Sequence, residues 1–215
     1  MVLGFQRAKS GLYVPSPGGL PGFQRQGMDQ RKESAGPTCT VLFGSGTVGG
    51  TYSRTAAGYR VPFVDGSVPN AFAYLSTAIK PNTGKWYWEA RPITNGNYAL
   101  WGLAQNLTPG GYGGYASTVN HGFYNLGHLW SQATVGTPWS LATAAANDVL
   151  GFIYDSGAGT FYISLNGLVG GQITGMASVD MYPLMAFQNG GITAGDFIFG
   201  SACAYAPGGV KFYGT

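Results

Sequence analysis

The residues best equipped for chemistry lie in one stretch, "GGYGGYASTVNHGFYNLGHLW", Gly110 to Trp130. Tyr112, Tyr115, His121, Tyr124, His128 and Trp130, with Trp139 close behind, put aromatic and imidazole groups on glycine-loosened chain. Tyr and Trp supply large contact area at low side-chain entropy cost, so they suit a loop surface that fills a partner's pocket or stacks on a sugar. A second role competes: alternate residues from His121 onward face a core, with His121 or His128 as a satisfied polar neighbour. Trp130 and Trp139 fit either role, whereas Tyr112 and Tyr115, flanked by Gly, fit the surface one. The two histidines stand seven apart with no third ligand in sequence, which falls short of a metal site.

Other constellations carry less. "GSGTVG", Gly44 to Gly49, matches a dinucleotide-binding glycine pattern, with Asp65 following. That site needs a helix next. The chain continues "GTYSRTAAGYRVPF", in which Gly58 and Pro62 oppose one, so the glycines are assigned to a hairpin or connection. Glu89 with Asp148 or Asp155 would be a glycosidase-like pair only across a cleft. The aspartates stand near turns, where Asp serves the backbone, and Glu89 is expected to pair with Arg91 or with another strand's base. No Ser-His-Asp or Cys-His set stands out. "NLTP", Asn106 to Pro109, reads as a turn rather than a glycosylation acceptor. The expectation is a protein without enzymatic activity and without cofactor or metal.

The elements that must position these groups follow from composition. Of 215 residues, 37 are Gly, 14% are aromatic and only 9% charged, the profile of an all-β chain with many tight turns. No apolar run reaches the ~18 residues of a membrane-spanning helix, and the start of the chain lacks a basic-then-apolar export pattern. From Thr38, short apolar or alternating runs predict strands near 38–43, 70–79, 84–94, 97–104, 121–131, 148–155, 159–165, 181–188 and 192–200. "YDSGAGTFYISLNG" (Tyr154–Gly167) has the pattern of a hairpin, and Asn95-Gly96 and Asn189-Gly190 mark further turns. "SLATAAAND" (Ser140–Asp148) is short enough to be one helical turn or a loop. The expected fold is all-β, an antiparallel β-sandwich with an extended N-terminal arm. Cys39 and Cys203 are either a disulfide or two buried free thiols, the latter being expected without an export signal.

Residues 1–37 form the arm. Gly and Pro recur every few positions, so neither helix nor long strand can run. The arm also holds the charge excess: residues 1–41 carry five basic and two acidic side chains against a net charge of +3 for the chain. Ordering such a segment costs roughly 1–2 kcal/mol per residue, more than its scattered apolar residues return. Main-chain pairing on a partner's surface would supply the rest, the alternative being an arm wrapped over its own domain. "GFQR" occurs twice, as Gly4–Arg7 and Gly22–Arg25. Phe5 and Phe23 could each enter a pocket while Arg7 and Arg25 reach a carboxylate, with Tyr13 between them. Chance recurrence in a Gly-rich segment is the other explanation.

"GKWYWEARP" (Gly84–Pro92), "YALWGLA" (Tyr98–Ala104), "DVLGFIYDSGAGTFYISLNGLVGG" (Asp148–Gly171), "MYPLMAF" (Met181–Phe187) and "DFIFG" (Asp196–Gly200) follow one another in the order and spacing of a SPRY domain. Tyr87-Trp88-Glu89, Gly102, Asp148, Gly151, Asp155, Phe161, Asn166-Gly167, Pro183 and Phe199-Gly200 stand at matching positions. Ile163-Ser164-Leu165 departs from the pattern, and the match is weak before residue 68. The resemblance implies a concanavalin-like sandwich over residues 38–200 that binds proteins through loops at one edge, with no shared catalytic apparatus. "CAYAPGGVKFYGT" (Cys203–Thr215), in the tail of residues 201–215, resembles segments that follow SPRY-like domains in tailed-bacteriophage structural proteins.

Together these readings give an expected function. The chain is a virion structural protein, a decoration, tail or fibre component. Its arm engages other virion proteins (capsid, portal or tail), and its sandwich, homo-oligomeric in the particle and without membrane insertion, is displayed toward a host surface protein or glycan. It would be made in the host cytoplasm and reside in the virion. The alternatives are a soluble SPRY-type adaptor and a carbohydrate-binding module.

Overall fold

The structure, a computed structural model, describes residues 39–43, 52–62, 71–94, 99–105, 120–124, 127–132, 134–187 and 194–215. Two sheets face each other. One runs in the order β1 (Val41–Phe43), β4 (Ala71–Leu75), β13 (Tyr182–Phe187), β6 (Ala99–Ala104), β7 (Asn120–Tyr124), β8 (His128–Ser131) and β9 (Thr134–Pro138). The other runs β12 (Leu168–Ile173), β11 (Thr160–Leu165), β10 (Leu150–Asp155), β5 (Lys85–Pro92), β14 (Ala194–Ile198), β3 (Gly58–Pro62) and β2 (Ser53–Thr55). The pairs along these orders are antiparallel. β15 (Lys211–Phe212) joins the second sheet by pairing parallel with β5 beyond the reach of β14. The expected all-β antiparallel sandwich is the observed fold.

Period-2 alternation explains the core. Trp88, Trp101, Phe123, Phe152, Phe161, Met185 and Phe197 all belong to one buried cluster between the sheets. Trp88 stacks on Phe152 and Phe161 at centroid distances of 5.3 and 5.8 Å, the offset geometry aromatic quadrupoles favour. The seven-stranded sheet is apolar on its other face as well: Phe72, Tyr74, Leu100, Ala104, Tyr124, Leu184 and Ala186 form a second buried cluster, with Trp130 packed on it.

Most expected strands appear at nearby boundaries, and the differences have local causes. The run 121–131 is a hairpin, β7 and β8, broken at Gly127, whose φ of 88° L-residues avoid. β2 and β3 occupy a stretch where no strand was expected and where Gly58 and Pro62 had only been read as opposing a helix. Gly58 sits at φ 152°, and a side chain there would strike the Phe197 carbonyl at 2.1 Å. β9 and β12 were masked in sequence by Thr-Val-Gly-Thr-Pro and by Gly170-Gly171. Ser140–Asp148 contains no helix. The Tyr154–Gly167 hairpin is as expected: Asp155 Oδ1 accepts from the amides of Gly157 and Ala158, and Asn166 and Gly167 both take positive φ. The glycine pattern Gly44–Gly49, Asp65, and the Asn95-Gly96 and Asn189-Gly190 turns lie outside the described residues.

The C-terminal segment is not an appendage. Tyr213 is buried in the core cluster, its ring 6.2 Å from Trp88 and 5.9 Å from Phe199. Its amide donates to the Tyr87 carbonyl at 2.9 Å. Lys211 Nζ donates to the Thr83 carbonyl at 2.7 Å and sits 5.5 Å above the Trp86 ring.

Candidate functional site

β7 carries the centre of the aromatic stretch, and it is buried along its whole length. His121 sits between two polar side chains, with Nε2 3.0 Å from Gln105 Nε2 and Nδ1 2.9 Å from Ser131 Oγ. The amide nitrogen can only donate, so Nε2 accepts and Nδ1–H donates to the hydroxyl, which fixes the tautomer. Burial pushes the imidazole pKa down to about 4. His121 is therefore a neutral, satisfied interior residue, which corrects its reading as a loop contact.

Trp139 is corrected likewise. It is buried, its ring is 4.5 Å from Phe123, and its Nε1 donates to the Ala142 carbonyl at 2.8 Å. Gly170 lies so close that a Cβ there would be 2.4 Å from the indole. Tyr124 is also buried, edge-on to the half-buried Trp130 at 5.8 Å, within the second apolar cluster. These two share one patch of the outer sheet face rather than a loop. His128 is exposed. Tyr112 and Tyr115, and the arm residues Phe5, Arg7, Tyr13, Phe23 and Arg25, lie outside the described residues.

The acidic candidates hold the fold. Glu89 is fully buried, and among the described residues no base forms an ion pair with it, contrary to expectation. Its carboxylate accepts from Tyr87 Oη at 2.7 Å and from the amides of Ala204 at 2.8 Å and Tyr205 at 2.7 Å. Burial raises its pKa, and the hydrogen bonds from Ala204, Tyr205 and Tyr87 oppose that shift. Arg91 turns instead to Asp196, at 2.9 Å, and Arg60 meets the same carboxylate through two bonds of 2.8 and 3.0 Å. Asp148 and Asp155 serve turns: Asp148 accepts from the Ala145 amide and from Asn166 Nδ2, both at 2.8 Å. Both cysteines are free thiols; Cys39 is buried, and the sulfur of Cys203 is enclosed beside Glu89.

A feature that sequence reasoning missed is the anchorage of Cys39 and Thr40, the first described residues. The Cys39 carbonyl accepts the hydroxyl of Tyr59 from the opposite sheet. The Thr40 amide and hydroxyl bond Ser76 Oγ at 2.9 and 3.0 Å, and the Ser76 amide returns a bond to the Thr40 carbonyl at 2.9 Å. Next door, the Tyr213 hydroxyl donates to the Thr77 carbonyl. Cys39 and Thr40 are thus fastened to Tyr59 of one sheet and to Ser76, just past β4 of the other, before β1 begins. The signal available in sequence was the pair of tyrosines far from the arm, and nothing in their spacing pointed to it.

No protein-family profile matches the chain, and no curated protein matches its sequence. Among solved structures, the SPRY domain of human HERC1 superimposes with a TM-score of 0.55 at 15% sequence identity. The match covers 68% of this chain and 91% of that domain. At that identity the likeness is one of architecture. The described residues form a SPRY-like, concanavalin-type β-sandwich.

Proposed function

We propose that the chain is a non-catalytic binding protein, a SPRY-like sandwich that is anchored into a larger assembly through residues 1–37 and presents its surface to a protein partner. The observation that supports this most directly is the construction of the arm root. Tyr59, Ser76 and β4 hold Cys39, Thr40 and β1, so a load on the arm passes into both sheets rather than into a loose linker. Within this proposal the assembly is a tailed-bacteriophage particle. The resemblance of residues 203–215 to segments of such proteins, and the Gly/Pro-rich basic arm, favour that setting.

Hydrogen exchange of the purified chain and of the same chain in its particle tests the anchoring. Amides of residues 1–37 exchange freely in the isolated chain and are protected in the particle if the arm is a tether. Protection already present in the isolated chain would leave the adaptor reading, which the SPRY-like architecture favours independently of the arm.

A further inference from the structure

The C-terminal segment covers only part of the outer face of the second sheet. Over the middle of β5 it lies close: the Ala204 and Tyr205 amides bond Glu89, and Phe212 meets Tyr87 edge-on at 6.4 Å. Toward β2 and β3 the same face is exposed, at Ser53, Arg60 and Pro62. The strand register sets Ser53, Arg60, Asp196 and Arg91 side by side in one row across β2, β3, β14 and β5.

Asp196 is the hub of that row. Its carboxylate accepts from Arg60 Nε at 2.8 Å and Nη2 at 3.0 Å, and from Arg91 Nη2 at 2.9 Å. Among the described residues, Nη1 of each arginine has no protein partner, and Arg91 Nε is buried without one. Burial also separates the charges. The side chains of Arg60 and Arg91 are 45% and 34% exposed, whereas that of Asp196 is only 5% exposed. Glu89, the next carboxylate on this face, lies fully buried beneath the C-terminal segment. This end of the sheet therefore presents guanidinium groups to solvent and keeps its carboxylates underneath.

A buried carboxylate carries a desolvation cost that apolar packing would avoid, so stability alone explains the row poorly. Recognition explains it better. Asp196 holds one edge of each planar fork, which leaves the outer edges in fixed positions, and a carboxylate that binds there orders little further side chain. Two guanidiniums are too few for a nucleic-acid backbone, whose binding draws on several phosphate contacts, but they match the carboxylate of an acidic side chain.

We propose that Arg60 and Arg91 form a carboxylate-binding site, at which an acidic segment of a partner protein docks on the outer face of β3 and β5. The inference rests on the binding role proposed above and names its surface and the chemistry of the partner.

Fluorescence anisotropy of a labelled octaglutamate peptide, titrated with the full chain at low salt, tests it. The wild type binds, and Arg60→Gln weakens binding about tenfold or more. Lys85→Gln removes the same charge from an exposed position on the same face, beside Asp155, and changes binding less than about twofold. Arg60→Lys keeps the charge without the planar fork and does not restore affinity. In the unaltered chain, the peptide shifts the Nε–Hε resonances of Arg60 and Arg91 and leaves that of Arg54 in place. Absent binding, equal losses from Arg60→Gln and Lys85→Gln, full affinity in Arg60→Lys, or equal binding of a DNA oligonucleotide would each overturn the inference. Hydrogen exchange of residues 1–37 reads the anchoring separately. Failure there leaves this site standing, and absent peptide binding removes the site and leaves the anchoring.

Discussion

The carboxylate of Glu89, in the middle of β5, accepts the main-chain amide of Tyr205 at 2.7 Å, joining residues 116 positions apart. With the Ala204 amide and the Tyr87 hydroxyl, this makes Glu89 the buried fastening of the C-terminal segment. Replacement by Ala would leave three donors without their acceptor. We expect Glu89→Ala to lose about 2–4 kcal/mol, read as a lowered urea midpoint, and to expose the chain beyond Gly200 to protease first.

Glu89 also sets a pH dependence. Burial raises its pKa above 4.5, so the folded state favours the neutral acid relative to the unfolded chain. The stability this group contributes is full below pH 4.5 and is lost as pH rises through the raised value. Paired melts of the wild type and Glu89→Gln should show the wild type's advantage shrinking as pH rises from 4.5. An advantage that grows would contradict the burial argument.

His121 acts in the opposite direction. Its pKa is lowered from 6.5 to about 4 by burial, so its contribution is full above pH 6.5 and is lost as pH falls toward 4. Charging the ring would also set a donor against the Gln105 amide nitrogen. The loss should approach about 3 kcal/mol by pH 4, and His121→Gln should flatten the acid limb of the stability curve.

Asp196 binds two arginines while being 3% exposed. It ties β14 to β3 through Arg60 and to β5 through Arg91. Asp196→Ala leaves Arg91 half-buried without its counter-charge and should cost about 3 kcal/mol. Arg60→Ala, at an exposed position, should cost under about 1 kcal/mol. Equal losses from the two substitutions in chemical denaturation would refute this division.

Gly170 is where packing is tightest around Trp139. A Cβ would stand 2.4 Å from the indole, so Gly170→Ala must displace the ring. A loss of about 1–3 kcal/mol, with a shifted tryptophan emission, is the expected signature of overpacking. Unchanged emission would contradict displacement of the ring.

Much of the fold was legible in the residues. Short apolar or alternating runs identified β5, β6, β10, β11, β13 and β14 because each packs against a large aromatic core, and Asn166-Gly167 marked its turn because few other pairs accept positive φ twice. β9 and β12 were not legible, since their glycines carry no alternation. Gly170 and Gly171 are small because Trp139 and Leu129 from the other sheet occupy that space, and such a cause is visible only once the sheets are stacked.

The same distinction governs the site. Composition and periodicity by themselves determined an all-β antiparallel sandwich, because it follows from local rules of backbone and burial. They did not determine what His121, Trp139, Glu89 and Asp196 do. Aromatic and charged side chains look alike in sequence whether they wait for a partner or already have one. Only the tertiary structure brings Gln105 and Ser131 to His121, the C-terminal amides to Glu89, and Tyr59 to the root of the arm. Those partners come from other elements, up to 116 positions away in the chain, and a hydrogen bond depends on separation in space, which sequence distance does not encode.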